Sequence, residues 1–170
     1  MESGRLSGEV RRVAVQVGQQ APEVTLVNYD RKPVKISEFR GKPSVLLFFP
    51  GAFTTTCTKE MCTFRDGMAE YGKLNAQVIG MSVDMPYSQK VFADQHRLTF
   101  PLMSDYNREA VRAFDVQDPN FAGGLLPGVA MRSVFVLDRQ GVVRYKWVAD
   151  KQGTEPDYTA VEAAVKALGN

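Results

Sequence analysis

The chain is poor in the residues from which metal centres are built. It has two cysteines and one histidine among 170 residues. A structural zinc takes four ligands, usually cysteine and histidine, so a zinc site is weakly supported. His96 falls in a polar helical stretch and reads as surface rather than ligand. No apolar run approaches the ~18 residues of a membrane span. Charge of one sign is also scarce: the formal net charge is +2, spread evenly, which argues against nucleic acid or an anionic membrane as partner. Arg11 and Arg12 form a short basic pair that reads as solvated surface. Met1 to Gln20 lacks the continuous apolar segment of a signal peptide, because charged and polar residues interrupt it throughout. The expected location is therefore cytoplasmic. There the reducing pool keeps thiols free, and two nearby cysteines point to catalysis or metal rather than to a structural bridge.

What is present fits a globular α/β protein. Hydrophobic residues make up 44% and charged residues 24%, ordinary values for one domain with a sizeable core. Residues 1–16 are polar and read as a flexible lead-in to a domain over 17–170. Val24–Val27 alternates like a short strand, followed by a turn at Asn28–Asp30. Lys35–Phe39 reads as a helical turn before the breaker Gly41-Lys42-Pro43. Ser44–Phe49 and Gln77–Val83 are apolar runs with the look of buried strands. Helices are expected over Cys57–Leu74, over Met85–Arg97 with Pro86 near its start, and over Asn107–Phe114. Asp118–Gly128 reads as loop. Ser133–Leu137 and Val142–Trp147 flank Asp138-Arg139-Gln140-Gly141 as a hairpin, and a helix over Asp157–Leu168 closes the chain. This order predicts a mixed sheet with helices on both faces.

Both cysteines lie in one place. Pro50-Gly51-Ala52-Phe53-Thr54-Thr55-Thr56-Cys57 follows the apolar strand, and Cys62 comes five residues later. Cys57 thus falls where a strand gives way to the first turn of a helix. Unpaired N–H groups and the positive end of the helix dipole stabilise a thiolate there. Four readings compete for the pair. They could be small core residues, which suits Cys62 better than Cys57. They could be half of a zinc site, for which ligands are lacking. A thioredoxin-type dithiol would have two residues between the cysteines, not four. The fourth reading is a reactive thiol with a second cysteine nearby. Over five helical steps the chain turns ~140° and rises ~7.5 Å, putting the Cα atoms roughly 8–9 Å apart. A disulfide needs them within about 7 Å, so the pair can bridge only if the first turns unwind.

The motif Pro50-x-x-x-Thr54-x-x-Cys57 resembles the active-site motif of the peroxiredoxins, and the chain is similar to that family from about Val17 onward. Gly18-x-x-Ala21-Pro22 matches the usual opening. Arg132-Ser133-Val134-Phe135-Val136-Leu137-Asp138 resembles the strand that begins with the family's active-site arginine. The flank Cys57-Thr58-Lys59-Glu60-Met61-Cys62-Thr63-Phe64-Arg65-Asp66 is similar to the bacterioferritin-comigratory (PrxQ) branch, in which many members carry a second cysteine at this spacing. Ala52-Phe53-Thr54-Thr55-Thr56 departs from the acidic and Pro-Gly residues common in that branch, and carries some likeness to the one-cysteine AhpE-like branch.

The resemblance implies a thioredoxin-like fold and reduction of hydrogen peroxide or organic hydroperoxides without metal, haem, flavin or other cofactor. Cys57 would be the peroxidatic nucleophile, passing to sulfenic acid as the distal oxygen leaves. Cys62 would resolve it as an intramolecular disulfide, and thioredoxin or a similar dithiol would recycle it. Arg132 would stabilise the thiolate and the departing oxygen, acting on the transition state rather than on folding. The Thr54 hydroxyl would hydrogen-bond thiolate and peroxide, and Pro50, with no N–H, would wall the thiol from water. As generic chemistry, Thr54 could instead be only a helix cap and Arg132 only a surface charge opposite Asp138. Glu60 suits the first helical turn through the dipole, and Arg65 reads as an ion-pair partner. A monomer or weak homodimer is expected. A general disulfide oxidoreductase, testable by insulin reduction, and a non-enzymatic redox sensor or holdase are the other classes.

Overall fold

The computed structural model describes residues 13–169. In chain order its elements are β1 (Thr25–Val27), β2 (Pro33–Lys35), β3 (Ser44–Phe48), α1 (Thr55–Asp66), α2 (Met68–Lys73), β4 (Gln77–Ser82), α3 (Pro86–Gln95), β5 (Leu102–Ser104), α4 (Glu109–Ala113), β6 (Gln117–Asp118), β7 (Val129–Ala130), β8 (Ser133–Leu137), β9 (Val143–Val148) and α5 (Tyr158–Lys166). Seven strands form one sheet in the order β2-β1-β5-β4-β3-β8-β9, with β3, β4 and β5 mutually parallel and the other neighbours antiparallel. The mixed α/β sheet expected from the sequence is thus present. No helix among the described residues is long and apolar enough to cross a membrane.

The interior strand β3 is buried at every position, and the two-residue period of a strand divides its side chains between two cores. Val45, Leu47 and Phe49 join Cys57, Met61 and Phe64 of α1, Phe92 of α3, and Val161 and Val165 of α5. Leu46 and Phe48 face the other way, onto Ala110 and Val111 of α4, Phe114 and Ile36. Four helices therefore cover one face, and α4 with the 3-10 turn Ile36–Phe39 covers the other. The packing between β4 and its neighbour β5 needs Gly80: a Cβ there would clash with Leu102 Cδ2.

Some boundaries differ from expectation for local reasons. The helix expected over Cys57–Leu74 is two helices, broken at Gly67, whose N–H bonds back to the carbonyls of Thr63 and Phe64 to end α1. The segment expected to be loop, Asp118–Gly128, starts at the short β6–β7 ladder and contains a 3-10 turn in which Ala122 and Gly123 take left-handed conformations. Strands β2 and β5 were not expected. Each has three residues, too few for a period-2 pattern to stand out. Of the expected lead-in, residues 1–12 lie outside the described residues. Val15 is buried in the core, and its carbonyl accepts a hydrogen bond from Lys146 Nζ at 3.0 Å.

Candidate active site

The loop between β3 and α1 carries the motif. Phe53, with φ of 66°, takes a conformation that a bulky residue adopts only at a cost. Two contacts hold it. The Phe53 ring meets Phe92 edge-on at 5.2 Å between centroids, and the Ala52 N–H donates to Asp84 Oδ2 at 2.8 Å. Ser82 Oγ donates to the same carboxylate oxygen at 2.6 Å, so Asp84 fixes the loop from the end of β4. Sequence reasoning did not single out Asp84. Its only signal is its place just beyond a strand that neighbours β3.

Thr54 takes the N-cap position of α1, but its side chain makes no capping bond. Its hydroxyl donates to the Gly51 carbonyl at 2.9 Å. The expected donation from Thr54 to the thiolate is therefore not what this geometry holds, because the one hydroxyl proton is committed to Gly51. The oxygen lone pairs stay free to accept from a ligand. Cys57 follows in the first turn of α1, where the backbone N–H groups have no intrahelical partner. Its side chain is fully buried. Pro50, Thr54, Thr55, Thr56 and Arg132 line a cleft of ≈ 180 Å³ together with Phe121, Gln152 and Gly153.

Arg132 is 1% exposed, which overturns the alternative of a surface charge opposite Asp138; Asp138 instead pairs with Arg144 at 2.7 Å. The Arg132 Nη2 donates to Cys57 Sγ at 3.3 Å, and Nη1 forms a buried ion pair with Glu60. The burial also corrects the expectation that Arg132 bears little on folding, since removing one partner of such a pair strands a buried charge. Glu60 is another site residue whose place sequence reasoning missed: it lies beyond the first turn of α1, is 0% exposed and is ion-paired, not held by the helix dipole. A signal was available, because a residue three positions after Cys57 shares its helix face. Burial lifts the Glu60 carboxyl to about 7, against the opposing pull of Arg132. For Arg132, burial disfavours the charge, but the charges of Glu60 and Cys57 outweigh it, so the guanidinium stays protonated.

Cys62 lies one and a half turns on, half-buried, and both cysteines are free thiols. Helix α1 is intact between them, so the sulfurs cannot join without the unwinding expected from helix geometry. The helix is built to yield there. Thr55, Thr56, Thr58 and Thr63 are β-branched residues of low helix propensity. The hydroxyls of Thr58 and Thr63 bond to the carbonyls four residues back, of Thr54 and Lys59, at 2.8 Å each, a pattern that weakens helices. Cys62 Sγ contacts His96 Nδ1 at 3.9 Å. Arg65 pairs with Asp66 and also donates to the His96 carbonyl at 2.6 Å.

A thioredoxin-like α/β fold that buries one cysteine against an arginine at a helix start defines a thiol-based redox class of protein. Comparison with known proteins narrows this. The profile of the AhpC/TSA family matches residues 17–146, and the chain belongs to that family. It is 44% identical over 131 residues to a chloroplastic Peroxiredoxin Q of Triticum aestivum, covering 77% of this chain and 58% of that one. The chain thus spans less than two thirds of that relative's length. Among solved structures it is similar to Peroxidoxin BcpB of Mycobacterium tuberculosis, with a TM-score of 0.79, 29% identity and coverage of 92% of this chain and 99% of that one. Xanthomonas campestris Peroxiredoxin Q superposes with a TM-score of 0.73 and 29% identity over 85% of this chain and 90% of that one. The resemblance to the PrxQ branch drawn from the sequence is therefore borne out.

Proposed function

We propose that the protein is a thiol-dependent peroxidase in which Cys57 is the nucleophile. The observation that carries this reading is the 3.3 Å contact from Arg132 Nη2 to the buried Cys57 Sγ at the first turn of α1. A guanidinium and a helix N-terminus together favour the thiolate and the negative charge that develops on the leaving oxygen. The Cys57 sulfur takes one peroxide oxygen, the O–O bond breaks, and the other oxygen departs and is protonated. Thr54 offers its oxygen lone pairs to the peroxide hydroxyl, and Pro50 closes the wall of the cleft without an N–H of its own. Hydrogen peroxide and small organic hydroperoxides both suit this chemistry.

Cys62 then resolves the sulfenic acid as an intramolecular disulfide, and thioredoxin or a similar dithiol restores both thiols. The threonine-weakened start of α1 favours this two-cysteine cycle over the one-cysteine alternative. The cytoplasmic, reducing location expected from the sequence suits a reactive thiol rather than a structural bridge. The small net charge of +2 supports a peroxide and a protein reductant as partners rather than nucleic acid or membrane, and a monomer or weak homodimer remains the expected state. The test is peroxide consumption by the purified protein coupled to thioredoxin and its reductase. Steady turnover is expected. Oxidation without turnover, with protection of a client protein instead, would favour the sensor or holdase class.

A further inference from the structure

The chain's single histidine is placed against the second cysteine, and the redox reading so far gives it no task. His96 caps the C-terminal end of α3, on a different element from Cys62. Three contacts fix it there: its N–H donates to the Phe92 carbonyl at 3.1 Å, its ring lies 4.8 Å from that of Phe92, and its carbonyl accepts from Arg65 at 2.6 Å. The Arg65 bond ties the end of α3 to the helix that carries Cys62. The imidazole Nδ1 consequently faces Cys62 Sγ at 3.9 Å, within the reach of a sulfur hydrogen bond. A cysteine serving only as packing needs no such partner.

We propose that His96 is the proton acceptor for Cys62 in the resolving step, a role that rests on the two-cysteine reading above. The Sγ–H bond of Cys62 breaks and its proton passes to His96 Nδ1. The start of α1 unwinds and carries the Cys57 sulfenic acid to the Cys62 thiolate, which stays beside His96 on the part of the helix that Met61 and Phe64 anchor. The thiolate electron pair forms the S–S bond, the S–O bond of the Cys57 sulfenic acid breaks, and hydroxide leaves. That hydroxide and the proton released by His96 make one water. The anchored part of α1 holds the thiol against the imidazole while the first turn opens, so the proton is removed before Cys57 arrives. The order has a use: Cys62 is already nucleophilic when Cys57 reaches it, so the sulfenic acid spends less time exposed to further oxidation.

Other charged groups around the pair are already engaged or lie on its flank. Arg65 and Asp66 of α1 pair with each other, Lys90 and Asp94 of α3 do likewise, and Arg97 follows His96 in sequence. Arg65 adds a cation beside the sulfur, as its own raised pKa reflects, first through Asp66 and in smaller part through Cys62.

The experiment separates the two chemical steps in one rapid-mixing run at pH 7, with sulfenic acid and disulfide read by quenched-flow mass spectrometry. Wild type is compared with His96→Gln and His96→Asn. Sulfenic acid formation should be unchanged in both variants, which also reports that they fold. Disulfide formation should be about tenfold slower, since an unassisted thiol is only a few per cent ionised at pH 7. At pH 9.5, above the ordinary thiol pKa of about 8.5, the deficit should shrink to within about twofold, because solvent then removes the proton. A deficit equal at both pH values would mean that His96 merely packs, and a variant resolving at the wild-type rate would remove its role altogether. If wild type forms sulfenic acid but no Cys57–Cys62 disulfide, the resolving assignment falls and this proposal with it. The peroxidase reading would survive that outcome.

Discussion

Arg132 joins Cys57 and Glu60 in one buried cluster, with Nη2 at 3.3 Å from the sulfur and Nη1 on the carboxylate. One cation thus serves two acids, and its remaining Nε and the Glu60 Oε1 have no hydrogen-bond partner among the described residues. The site is held by charge balance more than by a complete hydrogen-bond network. Removing any member should be felt by the others.

Arg132→Ala should lower the rate of reaction with peroxide by ~10²–10³, the usual loss on removing one charged donor from a developing anion. It should also lower the melting temperature, because Glu60 is left buried and unpaired at a cost of roughly 3–5 kcal/mol. The double variant Arg132→Met with Glu60→Leu separates the two effects. Its melting temperature should recover much of the loss, while its rate stays low. Stopped-flow peroxide kinetics and thermal denaturation of the same samples decide the point.

Glu60 makes stability depend on pH in a stated direction. Its carboxyl is lifted from 4.5 to about 7 by burial, so between those values the folded protein keeps a proton that the unfolded chain has released. By linkage, stability is fully present below about 4.5, falls as pH rises through the window, and levels off above about 7. The full loss is up to about 3 kcal/mol. Glu60→Gln cannot titrate. Relative to wild type it should gain stability from pH 5 to about pH 7 in urea denaturation and change little from there to pH 8. A constant difference across that range would show that Glu60 does not titrate there.

The sequence made the sheet and the proposed nucleophile legible because both rest on local patterns. Ser44–Phe48 is an uninterrupted apolar run, and a strand buried on both faces is what such a run forms. The motif around Cys57 is likewise contiguous. Glu60, Asp84 and His96 were not legible as site residues, since each acts through a partner distant in the chain: Arg132, the Ala52 N–H and Cys62. A charged residue on a helix is ordinarily solvated, and only the fold reveals that Glu60, which lies beyond the first turn of α1, points inward. The Thr54 proton was misassigned for the same reason, because its acceptor, the Gly51 carbonyl, is set by the turn of the loop.

Thr54 can be tested as a ligand-positioning residue apart from its bond to Gly51. Thr54→Val removes both the hydroxyl donor and its lone pairs. Peroxide reactivity should fall by roughly 10², as expected when a reacting group loses its alignment, with about 1 kcal/mol of stability lost with the Gly51 bond. Thr54→Ser keeps the oxygen and should stay within a few-fold of wild type. Equal losses in both variants would mean that the methyl group, not the oxygen, matters.

Cys57→Ser should remove peroxidase activity altogether, because a neutral hydroxyl is a far weaker nucleophile than a thiolate at pH 7. Residual turnover of substantial size in that variant would move the nucleophile elsewhere, and Cys62 is the one other thiol in the chain.

The proposed resolving step requires α1 to open, and this is its most demanding consequence. Met61 and Phe64 anchor the helix in the core, while the turn containing Cys57 and the threonines is the weak part. Oxidation of the reduced protein with one equivalent of peroxide should give a monomer lighter by two hydrogens, with an intramolecular Cys57–Cys62 disulfide. Amide hydrogen exchange should rise over residues 57–62 and stay low over β3 and β4, since only the start of the helix has to unwind. Thioredoxin should reverse both changes. Cys62→Ser should react once with peroxide, stall as sulfenic acid and over-oxidise readily to sulfinic acid, without the rise in exchange. Normal turnover of Cys62→Ser with thioredoxin, alongside a free Cys62 thiol in the oxidised wild type, would instead assign the protein a one-cysteine cycle. The threonine-rich turn would then have no part in catalysis.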